Sequence, residues 1–162
     1  MKVAIITAST AVYKGEQEDA SGKVIRKMVE EAGLDVVFMK ALPTDKTVLS
    51  TVFQRMADGN LADLILTTGG TGFAPRDMTP EATIAVCDRM ANGIADAIRN
   101  YSMTITKRAM FSRAVSGIRK KTLIINLPGS PKAVQEALEF LLPELGHGLG
   151  ILRGTEGECA RK

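Results

Sequence analysis

Apolar residues along the chain fall into short unbroken runs and longer stretches with helical spacing. Residues 2–8 form a short apolar run without clean alternation, the pattern of a strand buried on both faces. A polar loop from Ser9 to Asp19 follows. Val24, Ile25, Met28, Val29 and Ala32 then recur at helical spacing and predict a helix over 20–32. Asp19 or Ser21 suits its start and Gly33 its end. Residues 34–42 read as a second strand, Pro43-Thr44-Asp45 as a turn, and 46–58 as a helix carrying Val48, Val52, Phe53 and Met56 on one side.

Residues 62–68 form a third buried strand that runs straight into Gly69-Gly70-Thr71-Gly72. Thr79 as cap, Pro80 at the first helical position and Glu81 in the first turn predict a helix toward Asn100, interrupted at Asn92-Gly93. Residues 101–119 carry no acids and no clear period. Residues 121–126 are a further strand, Leu127 to Pro131 a turn, and Pro131 opens a helix that is expected to end near Pro143. Strands alternating with helices of this length predict an α/β fold with a mostly parallel sheet. The expected organisation is one domain over residues 1–153 and a flexible C-terminal tail over 154–162.

Composition narrows the class. The 162 residues are 45% hydrophobic and 24% charged, with a net charge of +3. Such a chain has material for a core and is not a disordered composition. Its 18 acids offset 21 bases and no long basic run appears, which argues against nucleic acid as a partner. The N-terminal apolar run is too short for a secretion signal, and no stretch nears the ~20 residues of a membrane span. A cytoplasmic protein with two reduced thiols, Cys87 and Cys159, is therefore expected. The single histidine, His147, lies in what reads as a Gly-rich loop and cannot build a histidine-rich zinc site.

Candidate chemistry gathers where strands end, because ligands of open α/β sheets bind beyond the carboxyl ends of their strands. In Thr67-Thr68-Gly69-Gly70-Thr71-Gly72 the glycines permit positive φ and let N–H groups turn toward a phosphate or carboxylate. The same glycines also serve a plain tight turn. The segment is neither a Walker A loop nor a dinucleotide fingerprint. Arg76 offers a planar fork for phosphate, and Asp77 a carboxylate for magnesium; an ion pair closing the loop is the alternative. Asp45 either reaches the same crevice or caps a helix. The second glycine turn, Leu127-Pro128-Gly129-Ser130-Pro131, wraps a ring or phosphate or is ordinary turn chemistry. Lys107, Arg108, Arg113, Arg119, Lys120 and Lys121 meet an anionic substrate or are simply solvated.

Together these residues resemble a known family. Thr67 to Gly72 followed by Arg76-Asp77-Met78-Thr79-Pro80-Glu81-Ala82-Thr83 is similar to the signature of the MogA/MoaB family of molybdopterin-binding proteins, whose domain also forms part of gephyrin. Ser112-Arg113, Gly117-Ile118, Asn126 to Lys132, Gly15, Asp19 and Ser21-Gly22 extend the likeness over nearly the whole chain. The resemblance implies a three-layer α/β/α sandwich with a mixed sheet, and a homotrimer. It implies molybdopterin and ATP as substrates, with Mg2+, in adenylylation of the molybdopterin terminal phosphate with release of pyrophosphate. It places Asp77 as a catalytic and metal-holding residue, and Asp45, one residue past the position of a family acid, is expected to serve with it. Ser9, Gly69, Gly70, Thr71, Gly72, Arg76, Ser112, Arg113, Leu127, Pro128, Gly129 and Ser130 are placed around the pterin and nucleotide. It further implies transient contact with molybdate-insertion and molybdopterin-synthesis proteins. Thr10 and Thr44 stand where the family often carries acids, and Asp96 where it usually carries Glu. Thr44 favours an alternative, a non-catalytic pterin or nucleotide carrier.

Overall fold

The computed structural model describes residues 1–157. Six strands form one sheet in the order β2-β1-β3-β6-β5-β4. The strands are β1 (Lys2–Ala8), β2 (Asp35–Leu42), β3 (Leu64–Thr68), β4 (Arg89–Met90), β5 (Ser116–Arg119) and β6 (Thr122–Leu127). The first three and β6 are mutually parallel; β5 and β4 run antiparallel at one edge. The register aligns Thr7 with Thr68 and Thr68 with Leu127, so three neighbouring strands end level.

Helices cover both faces. On one side α2 (Ala20–Glu31), α5 (Asn92–Ile105) and α6 (Pro131–Arg153) pack on Val3, Ile5, Leu64, Leu66, Ile125 and Leu127. On the other, α3 (Lys46–Asp58) and α4 (Thr79–Val86) cover Ala4, Ile6, Ile65 and Ile124. Strands buried on both faces explain the unbroken apolar runs. The expected α/β/α layering with a mixed sheet is the observed fold. Among the described residues no helix is long and apolar enough to cross a membrane.

Four local expectations are corrected. Thr10–Tyr13 forms a short helix, α1, capped by the Ser9 hydroxyl, within the expected loop 9–19. The break after α4 falls at Cys87–Ala91, not at Asn92-Gly93, because Asp88 and Ala91 donate N–H bonds to Ile118 and Ser116 and so join β4 to the sheet. Asn92 and Gly93 begin α5 instead. The featureless 101–119 segment holds the end of α5, a 3-10 turn (Lys107–Phe111) and β5. Finally, α6 runs through Pro143 to Arg153, placing His147 in a helix. Proline removes one helical hydrogen bond, but Leu138, Leu141, Leu145 and Leu149 carry the buried face past it. Residues 154–157, the start of the expected tail, turn back on α6: the Thr155 and Glu156 N–H groups donate to the Gly150 carbonyl at 2.9 and 3.2 Å. Residues 158–162, with Cys159, lie outside the described residues.

Leu138 is fully buried where α6 meets the sheet. Leu138→Ala is expected to lower unfolding free energy by about 2–5 kcal/mol in a urea titration, with the cleft described below retained.

Candidate active site

A cleft of about 750 Å³ opens at the level carboxyl ends of β1 and β3. Its floor is Thr7, Ala8, Thr68, Gly69 and Gly70, and Gly129 enters from the end of β6. Gly69 has φ +85°, and a Cβ on it would stand 2.6 Å from the Ala8 carbonyl oxygen. Gly70 has φ +65°, and its Cβ would stand 2.4 Å from Thr79 Oγ1. Both glycines are therefore required by conformation and by space.

The Gly69 and Gly70 carbonyls are held by Thr79: its hydroxyl donates to the first at 2.9 Å and its N–H to the second at 3.1 Å. By contrast, the N–H groups of Gly70, Thr71 and Gly72 donate to no protein acceptor among the described residues. Consecutive free N–H groups on a glycine turn make an anion-binding concavity.

Asp77 reaches the cleft from the loop before α4. Its Oδ2 accepts the Ala74 N–H at 3.1 Å, while Oδ1 has no partner among the described residues. Arg113 braces this loop from behind. Its Nη2 donates to the Asp77 carbonyl and its Nε to the Gly72 carbonyl, both at 2.7 Å. The Arg113 N–H donates to the Thr71 carbonyl at 2.8 Å, and Glu81 pairs with Nη1. Burial pushes the Glu81 carboxyl up, but the Arg113 hydrogen bond and charge outweigh it and hold the group below its ordinary 4.5. Arg113, expected from the sequence both in a basic stretch and around the pterin and nucleotide, lines neither the cleft nor the chamber behind it and braces the loop instead, and Arg119 and Lys120 pair with Asp58, held at about 2 by their hydrogen bonds.

The other expected site residues divide. Ser9 and Arg76 line the cleft, Arg76 exposed at its mouth with no ion pair among the described residues. Thr71, Gly72, Ser112, Pro128 and Gly129 border a smaller apolar chamber of about 290 Å³ behind the glycine turn, walled by α5, the 3-10 turn and α6. Gly129 touches both spaces. Leu127 is core, and Ser130 caps α6 by accepting the Ala133 N–H at 3.3 Å. Asp45, expected beside Asp77, is not among the cleft-lining residues. It caps α3, its Oδ1 accepting the Val48 N–H at 2.9 Å. Thr44 lines the cleft in its place and shares a 3.1 Å hydroxyl contact with Thr10.

Sequence reasoning read Asp19 and Ser21 as helix-start residues and left Thr7, Thr10 and Glu18 out of the site. Asp19 lines the cleft with both oxygens engaged, Oδ1 by the Gly22 N–H at 2.9 Å and Oδ2 by the Thr7 hydroxyl at 2.8 Å. Ser21 donates to the Gly129 carbonyl at 2.9 Å. Only the helix-start position of Asp19, in the loop that follows the first strand, signalled this in the sequence. The lining thus carries Glu16, Glu18, Asp19 and Asp77 against Arg76. No group of three or more His, Cys, Asp or Glu positioned to hold a metal occurs among the described residues. Cys87 is a half-buried thiol pushed up to about 11 by burial, so it is no nucleophile at neutral pH.

Level strand ends, a glycine turn with free N–H groups and a carboxylate beside it define an α/β domain with a concavity suited to an anion at its strand ends. A family model described as "Probable molybdopterin binding domain" matches residues 4–147. The chain belongs to this molybdopterin-binding domain family. It is 37% identical over 155 residues to a molybdopterin adenylyltransferase of Helicobacter pylori, covering 94% of this chain and 88% of that protein. It is 38% identical over 160 residues to gephyrin of Dictyostelium discoideum, covering 93% of this chain and 22% of that protein. The crystal structure of the molybdopterin biosynthesis enzyme MoaB from Thermus thermophilus superposes with a TM-score of 0.89 at 41% identity, covering 94% of this chain and 96% of that one.

Gly69→Ala is expected to cost about 1–3 kcal/mol of stability, and also to abolish pyrophosphate binding measured by calorimetry, since the β1 backbone cannot yield the space. The Glu81–Arg113 pair stabilises the fold above the ordinary carboxyl value of 4.5, and that contribution is lost as pH falls through the lowered one. The gap in melting temperature between the native protein and Glu81→Gln should hold steady above about pH 5 and close at lower pH.

Proposed function

We propose that this chain adenylylates molybdopterin. A terminal phosphate oxygen of molybdopterin attacks the α-phosphorus of ATP; the new P–O bond forms as the bond to the bridging oxygen breaks, and pyrophosphate leaves. The observation that carries the reading is the run of free N–H groups at Gly70, Thr71 and Gly72 beside Asp77. They suit non-bridging oxygens on which charge builds, and such donors lower the barrier without a covalent step. Arg76 offers an exposed positive charge at the mouth, suited to the leaving pyrophosphate.

An acidic cleft fits a nucleotide whose charge is already partly neutralised. The donor set does not suit a metal held wholly by protein, but one carboxylate with a free oxygen suits magnesium, which keeps its waters and takes phosphate oxygens. Asp77 would hold magnesium together with nucleotide oxygens, supplying charge neutralisation there. Asp45, committed to α3, is not needed for that role. The two spaces meeting at Gly129 leave room for two organic groups on either side of the reacting phosphates. A cytoplasmic homotrimer is part of the same reading. Phe73 and Phe111, an exposed edge-to-face pair at 5.4 Å, and exposed Met110 offer an apolar contact surface. Sedimentation at three times the 17.3 kDa chain mass would support it.

The carrier reading is favoured by one observation, the neutral Thr10–Thr44 contact where a second carboxylate would strengthen metal binding. One assay separates the two: purified protein with molybdopterin, ATP and magnesium, following AMP attachment and pyrophosphate release. Pterin binding with neither product would leave only the carrier. Asp77→Asn keeps an acceptor for the Ala74 N–H, so its melting temperature should stay near that of the native protein while kcat falls about 100-fold or more.

A further inference from the structure

A buried polar strut runs from the sheet to the glycine turn and is used by nothing described so far. At its base is Asn126 on β6, fully buried. Both donors of its amide are engaged. Nδ2 donates to Thr67 Oγ1 at 3.0 Å and to Thr83 Oγ1 at 2.9 Å, and Oδ1 accepts the Val115 N–H at 3.2 Å. The Thr83 hydroxyl, having accepted from Asn126, donates to the Thr79 carbonyl at 2.9 Å. Thr79 in turn holds the Gly69 and Gly70 carbonyls. Thr79 and Thr83 are both fully buried.

Each link has one direction. Asn126 has no spare donor, so Thr83 must present its lone pair to Asn126 and its proton to Thr79. The hydrogen-bonded part ends at the Thr79 carbonyl and the strut continues through the covalent frame of Thr79, so it acts by position, and a gap within it leaves a buried group unpaired. The consequence reaches the turn through peptide geometry. A trans peptide directs its C=O and N–H to opposite sides. Holding the Gly69 and Gly70 carbonyls against α4 therefore turns the Gly70 and Thr71 N–H groups away from α4. Gly69 and Gly70, both at positive φ, lack a Cβ and so have the widest conformational choice in the turn. Something must restrict it, and among the described residues Thr79 is the one whose side chain hydrogen-bonds to this pair.

We propose that Thr83 and Asn126, neither of which lines the cleft, are positioning residues that set the orientation of the phosphate-binding N–H groups through Thr79. The proposal rests on reading the cleft as a site for nucleotide phosphate. Thr83→Val keeps the shape of the side chain and removes the hydroxyl; Thr83→Ser restores it. Thr122→Val is the control. Thr122 is equally buried and donates to the Ala62 carbonyl at 2.7 Å, at the opposite end of β6 from the cleft.

Both valine variants should melt at similarly lowered temperatures. Assayed well below those temperatures, Thr83→Val should lose about tenfold in kcat and in affinity for inorganic pyrophosphate by calorimetry. Thr83→Ser should recover most of both, and Thr122→Val should match the native protein. Thr83→Val with native kcat and pyrophosphate affinity, or equal losses in Thr83→Val and Thr122→Val, would overturn the positioning role. If the native protein binds pyrophosphate but transfers no AMP, the adenylylation reading fails alone, and the pyrophosphate comparison still decides the strut. Native protein that binds no pyrophosphate overturns both.

Discussion

The structure turns on how closely the backbone at Gly69 approaches its neighbours. A Cβ there would strike the Ala8 carbonyl oxygen at 2.6 Å, and a Cβ on Gly129 would lie 3.5 Å from the Gly69 α-carbon. The ends of β1, β3 and β6 therefore converge on a point where side chains are nearly absent. Three parallel strands that finish level make that convergence possible, and the mostly apolar packing on both faces of the sheet holds them level. What remains exposed at the edge is backbone, and free N–H groups follow from it.

Around that point, charge is distributed by role. Arg113 spends its guanidinium on carbonyls and Glu81 behind the turn, and so shapes the loop that carries Asp77. Arg76 is left exposed at the mouth. Asp19 is fixed by two hydrogen bonds, whereas Asp77 keeps one oxygen free. These differences separate side chains that build the cleft from those able to exchange partners when a ligand arrives. The same division lets an acidic lining coexist with the phosphate recognition proposed for this cleft, since the proposed donors are backbone groups rather than lysines.

Much of this was legible from residue order. The apolar runs marked β1, β3 and β6 because strands covered on both faces need no polar alternation, and the glycines after Thr68 marked the turn. The helix past Pro143 was not legible. A proline reads locally as a stop, while the burial of Leu145 and Leu149 that overrides it is a tertiary contact. β4 escaped notice for a similar reason, being two residues that are strand only because β5 lies beside them. In the site, Asp45 looked interchangeable with Asp77, both being carboxylates near strand ends. Cap geometry at α3 engages one, while the loop braced by Arg113 brings the other to the cleft.

By itself the sequence determined the alternation of strand and helix, the glycine turn and the family, since each is written in residue type at short spacing. The tertiary structure alone decided which side chains share the cleft. It placed Thr44 and Asp19 there, sent Asp45 to a helix end, and joined Asn126 to the turn through Thr83 and Thr79. The physical reason is that strand order brings residues 19, 44, 69 and 129 to one edge, and no local spacing encodes a contact made across the sheet.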